Sequence, residues 1–136
     1  NGYCSDMTRT VAVGKISEEQ EKVYNLVLNA QLAAIDAVKA GVPCNSIDAV
    51  ARDMIYGAGY EGKFGHGLGH SLGLEIHENP RFSPLCSELT EAGIVMSVEP
   101  GIYLDGQFGV RIEDIVMVTE DGCDVITKSE KKLITL

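Results

Sequence analysis

The chain has 136 residues, 45% of them apolar, enough for one soluble domain whose core needs no disulfide or metal staple. Its 20 acidic residues against 11 basic ones leave a formal charge of -9, which argues against a nucleic-acid backbone or an anionic membrane as partner. Cys4, Cys44, Cys86 and Cys123 form no CxxC pair, so reduced cytoplasmic thiols are expected rather than a zinc knuckle or a disulfide framework.

In chain order, the first expected element is a strand over residues 6–13, where β-branched and extended-preferring residues run up to Gly14. Ser17 followed by Gln20 has capping-box form, and Val23, Val27, Ala30, Ala34 and Val38 recur at helical spacing until Gly41 and Pro43 end the run. A second helix is expected from Ser46 to Tyr56, stopped by Gly57 and Gly59. Residues 60–87 read mostly as loop, with a short strand at Leu74 to His77. The remainder reads as strands: Ile94 to Glu99, Gly101 to Leu104, a long one from Val110 to Thr119, and Cys123 to Thr127 after a turn at Asp121-Gly122. No run approaches the roughly 18 apolar residues of a membrane span. This order predicts an α+β fold, with helices on one side of a mostly antiparallel sheet.

Chemistry concentrates in the loop. His66, His70 and His77 are all the histidines of the chain, and glycines Gly65, Gly67, Gly69 and Gly73 are interleaved with them. Glycines let a backbone approach a ligand closely, and imidazoles so spaced can converge on one site. The alternative is a glycine-rich turn whose histidines satisfy local hydrogen bonds. Downstream, Glu99 ends an apolar strand and Glu113 lies inside another. In a regular strand Arg111 and Glu113 would share a face, either as metal ligand and neighbour or as an ion pair on a solvated surface. Asp6 opens the first strand, where an Asp is often a turn residue, with Thr8 and Thr10 on its face. Asp6, His70, Glu99 and Glu113 together offer three carboxylates and one imidazole, a set suited to Mn²⁺ or Zn²⁺. Two such cations about 3.5–4 Å apart activate water and polarise a carbonyl, and peptide hydrolysis is the natural use.

Several motifs carry a family resemblance across nearly the whole chain. These are Phe64-Gly65-His66-Gly67-Leu68-Gly69-His70, then Gly73-Leu74, His77-Glu78 and Pro80, with Ser97-Val98-Glu99-Pro100-Gly101-Ile102-Tyr103, Gly109-Val110-Arg111-Ile112-Glu113-Asp114 and the opening residues 2–10. In this order they resemble the pita-bread metallopeptidases of the Xaa-Pro dipeptidase and aminopeptidase group. The resemblance implies a partial pita-bread fold. It implies that Asp6, His70, Glu99 and Glu113 are metal ligands, that His66 and His77 contact substrate, and that Arg111 orients the site beside Glu113. It also implies two divalent cations in the parent protein, Mn²⁺ ahead of Zn²⁺ or Co²⁺, and a peptide substrate with proline in second position.

Members of that group carry a further ligand aspartate upstream of Asp6 that no residue of this chain matches. Residues 1–136 are therefore expected to be the C-terminal portion of a catalytic domain, inactive alone, holding at most one cation and pairing as a homodimer through a cut sheet edge. The competing readings are a catalytically inactive binding module of the same fold and a creatinase-like hydrolase of a non-peptide substrate.

Overall fold

The computed structural model describes all 136 residues. Helix α1 spans Glu18–Ala37, and the expected capping box forms at its start. The Gln20 amide donates to the Ser17 hydroxyl at 3.2 Å while the Ser17 amide donates to the Gln20 side-chain oxygen at 2.8 Å. Val23, Val27, Ala30 and Ala34 are fully buried, as their spacing predicts. Helix α2 spans Cys44–Gly57, entering one half-turn earlier than expected because Pro43 sets its extended N-cap. The two helices pack on one another and onto the sheet.

Five strands, β1 (Gly69–Ser71), β2 (Glu78–Phe82), β3 (Val95–Val98), β6 (Asp114–Val118) and β7 (Cys123–Val125), form one sheet in the order β2-β1-β3-β6-β7. Strands β4 (Gly101–Leu104) and β5 (Phe108–Arg111) form a separate hairpin. Every strand pairing is antiparallel, so the α+β expectation holds, with the helices on one side of the sheet. Phe64, Leu68, Phe82, Met96, Ile102 and Ile112 join the helix residues in a single core. No helix is long and apolar enough to cross a membrane.

Four elements differ from the sequence reading, the first being the stretch 60–87, read mostly as loop, which supplies β1 and β2 because pairing with each other and with β3 makes them strands. Residues 6–13 are extended but pair as strand only through isolated bridges, Thr8 opposite Glu113 and Ala12 opposite Thr135, so no ladder forms. Leu74 to His77 is the connection between β1 and β2 rather than a strand; the Glu75 amide donates to the Glu78 carboxylate at 2.9 Å and closes it. The run from Val110 to Thr119 breaks at Ile112-Glu113, and its halves lie in different sheets. There the Glu113 amide leaves the hairpin and donates to the Thr8 carbonyl at 3.0 Å. Five successive residues, Ile112 to Val116, are buried, which no alternating strand would produce.

Candidate metal centre

Four chain segments converge where the break in that run occurs. His70 lies on β1, Glu99 follows β3, Glu113 sits between β5 and β6, and Asp6 comes from the extended leading segment. His70 Nε2 is 3.2 Å from Glu99 Oε1 and 3.6 Å from Asp6 Oδ2. One ligand-type atom from each of Asp6, His70 and Glu113 lies within 4.8 Å of the others.

The register of this cluster is set by main chain and by one serine. A Cβ at Gly69 would lie 1.9 Å from the Ser97 carbonyl oxygen, so β1 and β3 can only approach as they do with glycine at that position. The His70 amide donates to Ser97 Oγ at 2.9 Å, and the Ser97 hydroxyl donates to Glu99 Oε1 at 3.0 Å. His70 Nδ1 lies 3.0 Å from the Ser71 carbonyl oxygen, which can only accept, so Nδ1 carries hydrogen and Nε2 faces the carboxylates. Hydrogen bonding to Glu99 raises the His70 pKa against the opposing effect of burial. Burial acts to raise the Glu99 carboxyl, but the hydrogen bonds from His70 and Ser97 outweigh it and hold it below its ordinary value.

Glu113 is the most buried of the four and is short of donors. Its residue is 1% exposed, Oε2 accepts from the Thr8 hydroxyl at 2.5 Å, and Oε1 is buried with no hydrogen-bond partner. Burial, then the charges of Glu99 and Asp6, push its carboxyl up to about 7; the Thr8 hydrogen bond and Arg111 oppose this only in part. A buried carboxylate oxygen aimed at other ligand-type groups without a donor is costly, and a divalent cation there would remove the cost. Three oxygen donors with one imidazole suit a hard or borderline ion, so the residues present fit a divalent metal.

The solvated Arg111–Glu113 pair does not form. Arg111 is exposed and reaches the buried Glu113 through Thr8, whose Oγ1 accepts from Arg111 Nε at 3.0 Å. His66 Nε2 lies 2.7 Å from the Tyr103 hydroxyl and Nδ1 2.8 Å from the Gly67 carbonyl oxygen. His77 is exposed, with its ring edge-on to His70 at 4.4 Å between centroids. His66, His70, His77, Arg81, Glu99 and Arg111 line a cleft of about 500 Å³ with no apolar side chain in its wall.

Thr8 as a bridge, Tyr103 as the partner of His66, and Arg81 in the cleft were not legible as site residues beforehand. Neither Tyr103 nor Arg81 carries a local signal, since strand pairing alone brings Tyr103 to His66 and Arg81 to the cleft. Thr8 shares a face with Asp6, and that was the available signal.

The model of the metallopeptidase family M24 matches residues 1–120. An uncharacterized peptidase of Staphylococcus haemolyticus is 53% identical over 131 residues, covering 96% of this chain and 37% of its own. Among solved structures, an Xaa-Pro dipeptidase from Bacillus anthracis superposes with a TM-score of 0.97 at 50% identity, over 99% of this chain and 38% of that one. A prolidase from Thermococcus sibiricus superposes with a TM-score of 0.97 at 47% identity, over 99% of this chain and 37% of that one. The chain thus spans well under half the length of the relatives it matches.

Proposed function

Because the chain belongs to the metallopeptidase family M24, with residues 1–120 matched, we propose that its converging ligand-type residues serve a peptidase that cleaves the bond between an N-terminal residue and a following proline. The observation that carries this reading is the cluster of Asp6, His70 and Glu113 within 4.8 Å, with Glu99 against His70 and a buried oxygen of Glu113 unpartnered. In this reading Asp6, His70, Glu99 and Glu113 hold a divalent cation, with Mn²⁺ ahead of Zn²⁺ or Co²⁺. A bound divalent cation polarises the scissile carbonyl and lowers the pKa of water at the centre.

The chain's own residues do the rest. Glu99 or Glu113 would carry a proton from the attacking water to the leaving imino nitrogen of proline, both carboxylates standing in or against the cluster. His66, held through Nε2 by the Tyr103 hydroxyl, and His77, at the cleft mouth, contact the substrate around the scissile bond. Arg111 steadies Glu113 through Thr8. Arg81 and Arg111 give a cleft without apolar walls two guanidinium groups, which suits a short substrate whose free carboxylate lies close to the reacting bond.

The deciding experiment is a hydrolysis assay on the full-length protein after loading with each cation in turn, using Xaa-Pro dipeptides, Xaa-Ala dipeptides and longer Xaa-Pro peptides. Turnover confined to Xaa-Pro dipeptides and abolished by a chelator is the expected result. Saturable metal binding without turnover of any peptide would move the protein to the binding-module reading.

A further inference from the structure

One charged pair lies outside the carboxylate cluster yet touches the histidine loop at three points. Asp48 and Arg52 stand one turn apart on α2, the spacing at which side chains of opposite charge meet on a helix. Arg52 Nε donates to Asp48 Oδ2 at 2.7 Å and Nη2 to Oδ1 at 2.9 Å; the Asp48 side chain is 1% exposed and that of Arg52 15%. An exposed pair of this kind would add only about 0.3–0.5 kcal/mol to a helix. This one is buried and its remaining valences are directed outward. Arg52 Nη1 donates to the Phe64 carbonyl oxygen at 2.9 Å, Nη2 donates to that of His66 at 2.8 Å, and the Leu68 amide donates to Asp48 Oδ1 at 2.9 Å.

The loop has little else to hold it. Phe64, Gly65, His66 and Gly67 make no backbone–backbone hydrogen bond, whereas the flanking Lys63 and Leu68 carbonyls accept from the Tyr103 and Glu99 amides. Alternate residues 64, 66 and 68 are therefore pinned to α2, and the guanidinium also lies 4.3 Å from the centroid of the Phe64 ring. On the opposite side a Cβ at Gly67 would come 2.8 Å from the Phe82 carbonyl oxygen, so the loop is gripped between α2 and β2. From the backbone held by this grip, the imidazole extends with His66 Nε2 toward the Tyr103 hydroxyl at 2.7 Å. His70 and Glu99, in contrast, are joined through Ser97, which the pair does not touch; the one link back to the pair runs from Asp48 through Leu68, whose carbonyl accepts from the Glu99 amide, and Arg52 takes no part in it.

We propose that Asp48 and Arg52 are positioning residues for His66, setting where its imidazole meets the substrate and so governing turnover without governing cation binding. The proposal rests on the peptidase reading for the word turnover, and on the geometry alone for the placement of His66.

The test is Arg52→Lys and Arg52→Ala in the full-length, Mn²⁺-loaded protein. Displacing a substrate-handling group by an ångström costs about 10²-fold, and that is the expected fall in kcat for an Xaa-Pro dipeptide. Mn²⁺ stoichiometry and affinity are expected to match the parent, and, in the metal-free protein where no paramagnetic Mn²⁺ broadens them, the His66 ring ¹⁵N resonances to move while those of His70 and His77 stay. Lysine keeps the charge but not the planar fork, so Arg52→Lys is expected to fail with Arg52→Ala, and millimolar guanidinium to restore part of kcat in the latter alone. Unmoved His66 resonances, or Mn²⁺ affinity and melting temperature falling in step with kcat, would make the pair merely structural and overturn the proposal. Asp48→Asn, nearly isosteric, supplies the same readouts if the Arg52 variants do not fold. Absence of Xaa-Pro hydrolysis in the parent protein would remove the peptidase reading, while the His66 resonances at unchanged Mn²⁺ binding still decide the placement.

Discussion

Glu113 and Asp114 are neighbours in sequence, and both are carboxylates sealed from solvent, at 1% and 0% exposure. Their surroundings are opposite. Asp114 accepts from Arg9 Nη2 and Lys131 Nζ at 2.7 Å each and from Gln31 Nε2 at 2.9 Å. Burial acts to raise its carboxyl, yet these bonds hold it below the ordinary value. Glu113, facing the other way, has one donor, an unpartnered oxygen and a carboxyl pushed up to about 7. A buried charge with every valence filled is a structural fastener; a buried charge left short of donors is reserved for something the chain does not itself supply.

The same isosteric exchange should therefore have opposite signs at the two positions. Asp114→Asn leaves Arg9 and Lys131 facing an amide, and breaking a buried pair of this kind costs about 3–5 kcal/mol, to be read by denaturant unfolding. Because its folded-state carboxyl is held low, the stability from Asp114 is present above the unfolded value of 3.8 and lost as pH falls through the folded value. The acid limb of the stability curve should accordingly flatten in the variant. Glu113→Gln should instead raise the melting temperature of the metal-free protein, by an amount that grows between pH 4.5 and about 7, where the carboxyl ionises on unfolding while the native one stays protonated. A fall in melting temperature at both positions would break the contrast.

Smaller effects sharpen it. Outer partners of metal ligands typically carry about 10–100-fold in affinity, so Glu113→Gln or His70→Ala should weaken Mn²⁺ binding by at least about 100-fold in a calorimetric titration. Thr8→Val, which removes only the hydroxyl bridging Glu113 and Arg111, should fall inside that 10–100-fold range. The Ser17 cap stands apart from both carboxylates: Ser17→Ala should cost about 1 kcal/mol of stability and leave Mn²⁺ affinity unchanged.

Legibility from sequence followed the range of the forces involved. The first helix could be read to its capping residue because Ser17, Gln20 and the apolar spacing all act locally. Candidate ligands could be singled out because His70, Glu99 and Glu113 sit in unusual settings, among glycines or inside apolar runs. The break between β5 and β6 could not be read, since Val110 to Val118 stays apolar enough for one strand and only pairing with two different partners divides it. Gly69–Ser71 has no strand propensity of its own; it is a strand because Gly69 and His70 face Phe82 and Arg81. Asp48 and Arg52 have the i,i+4 spacing of any helix pair, and their hold on the histidine loop exists only in three dimensions.

With a would-be Cβ at Gly69 only 1.9 Å from the Ser97 carbonyl, the spacing of His70 and Glu99 is gauged by the thickness of two main chains. Apart from Ser97, whose hydroxyl joins the two, no side chain sets that gauge. Asp6 and Glu113 form the opposite jaw, and it is steadied by a threonine hydroxyl and a guanidinium that mutation can change. The proposed cation site therefore has one rigid jaw and one adjustable jaw, and a change in the ionic radius it prefers would proceed from the Asp6–Glu113 side.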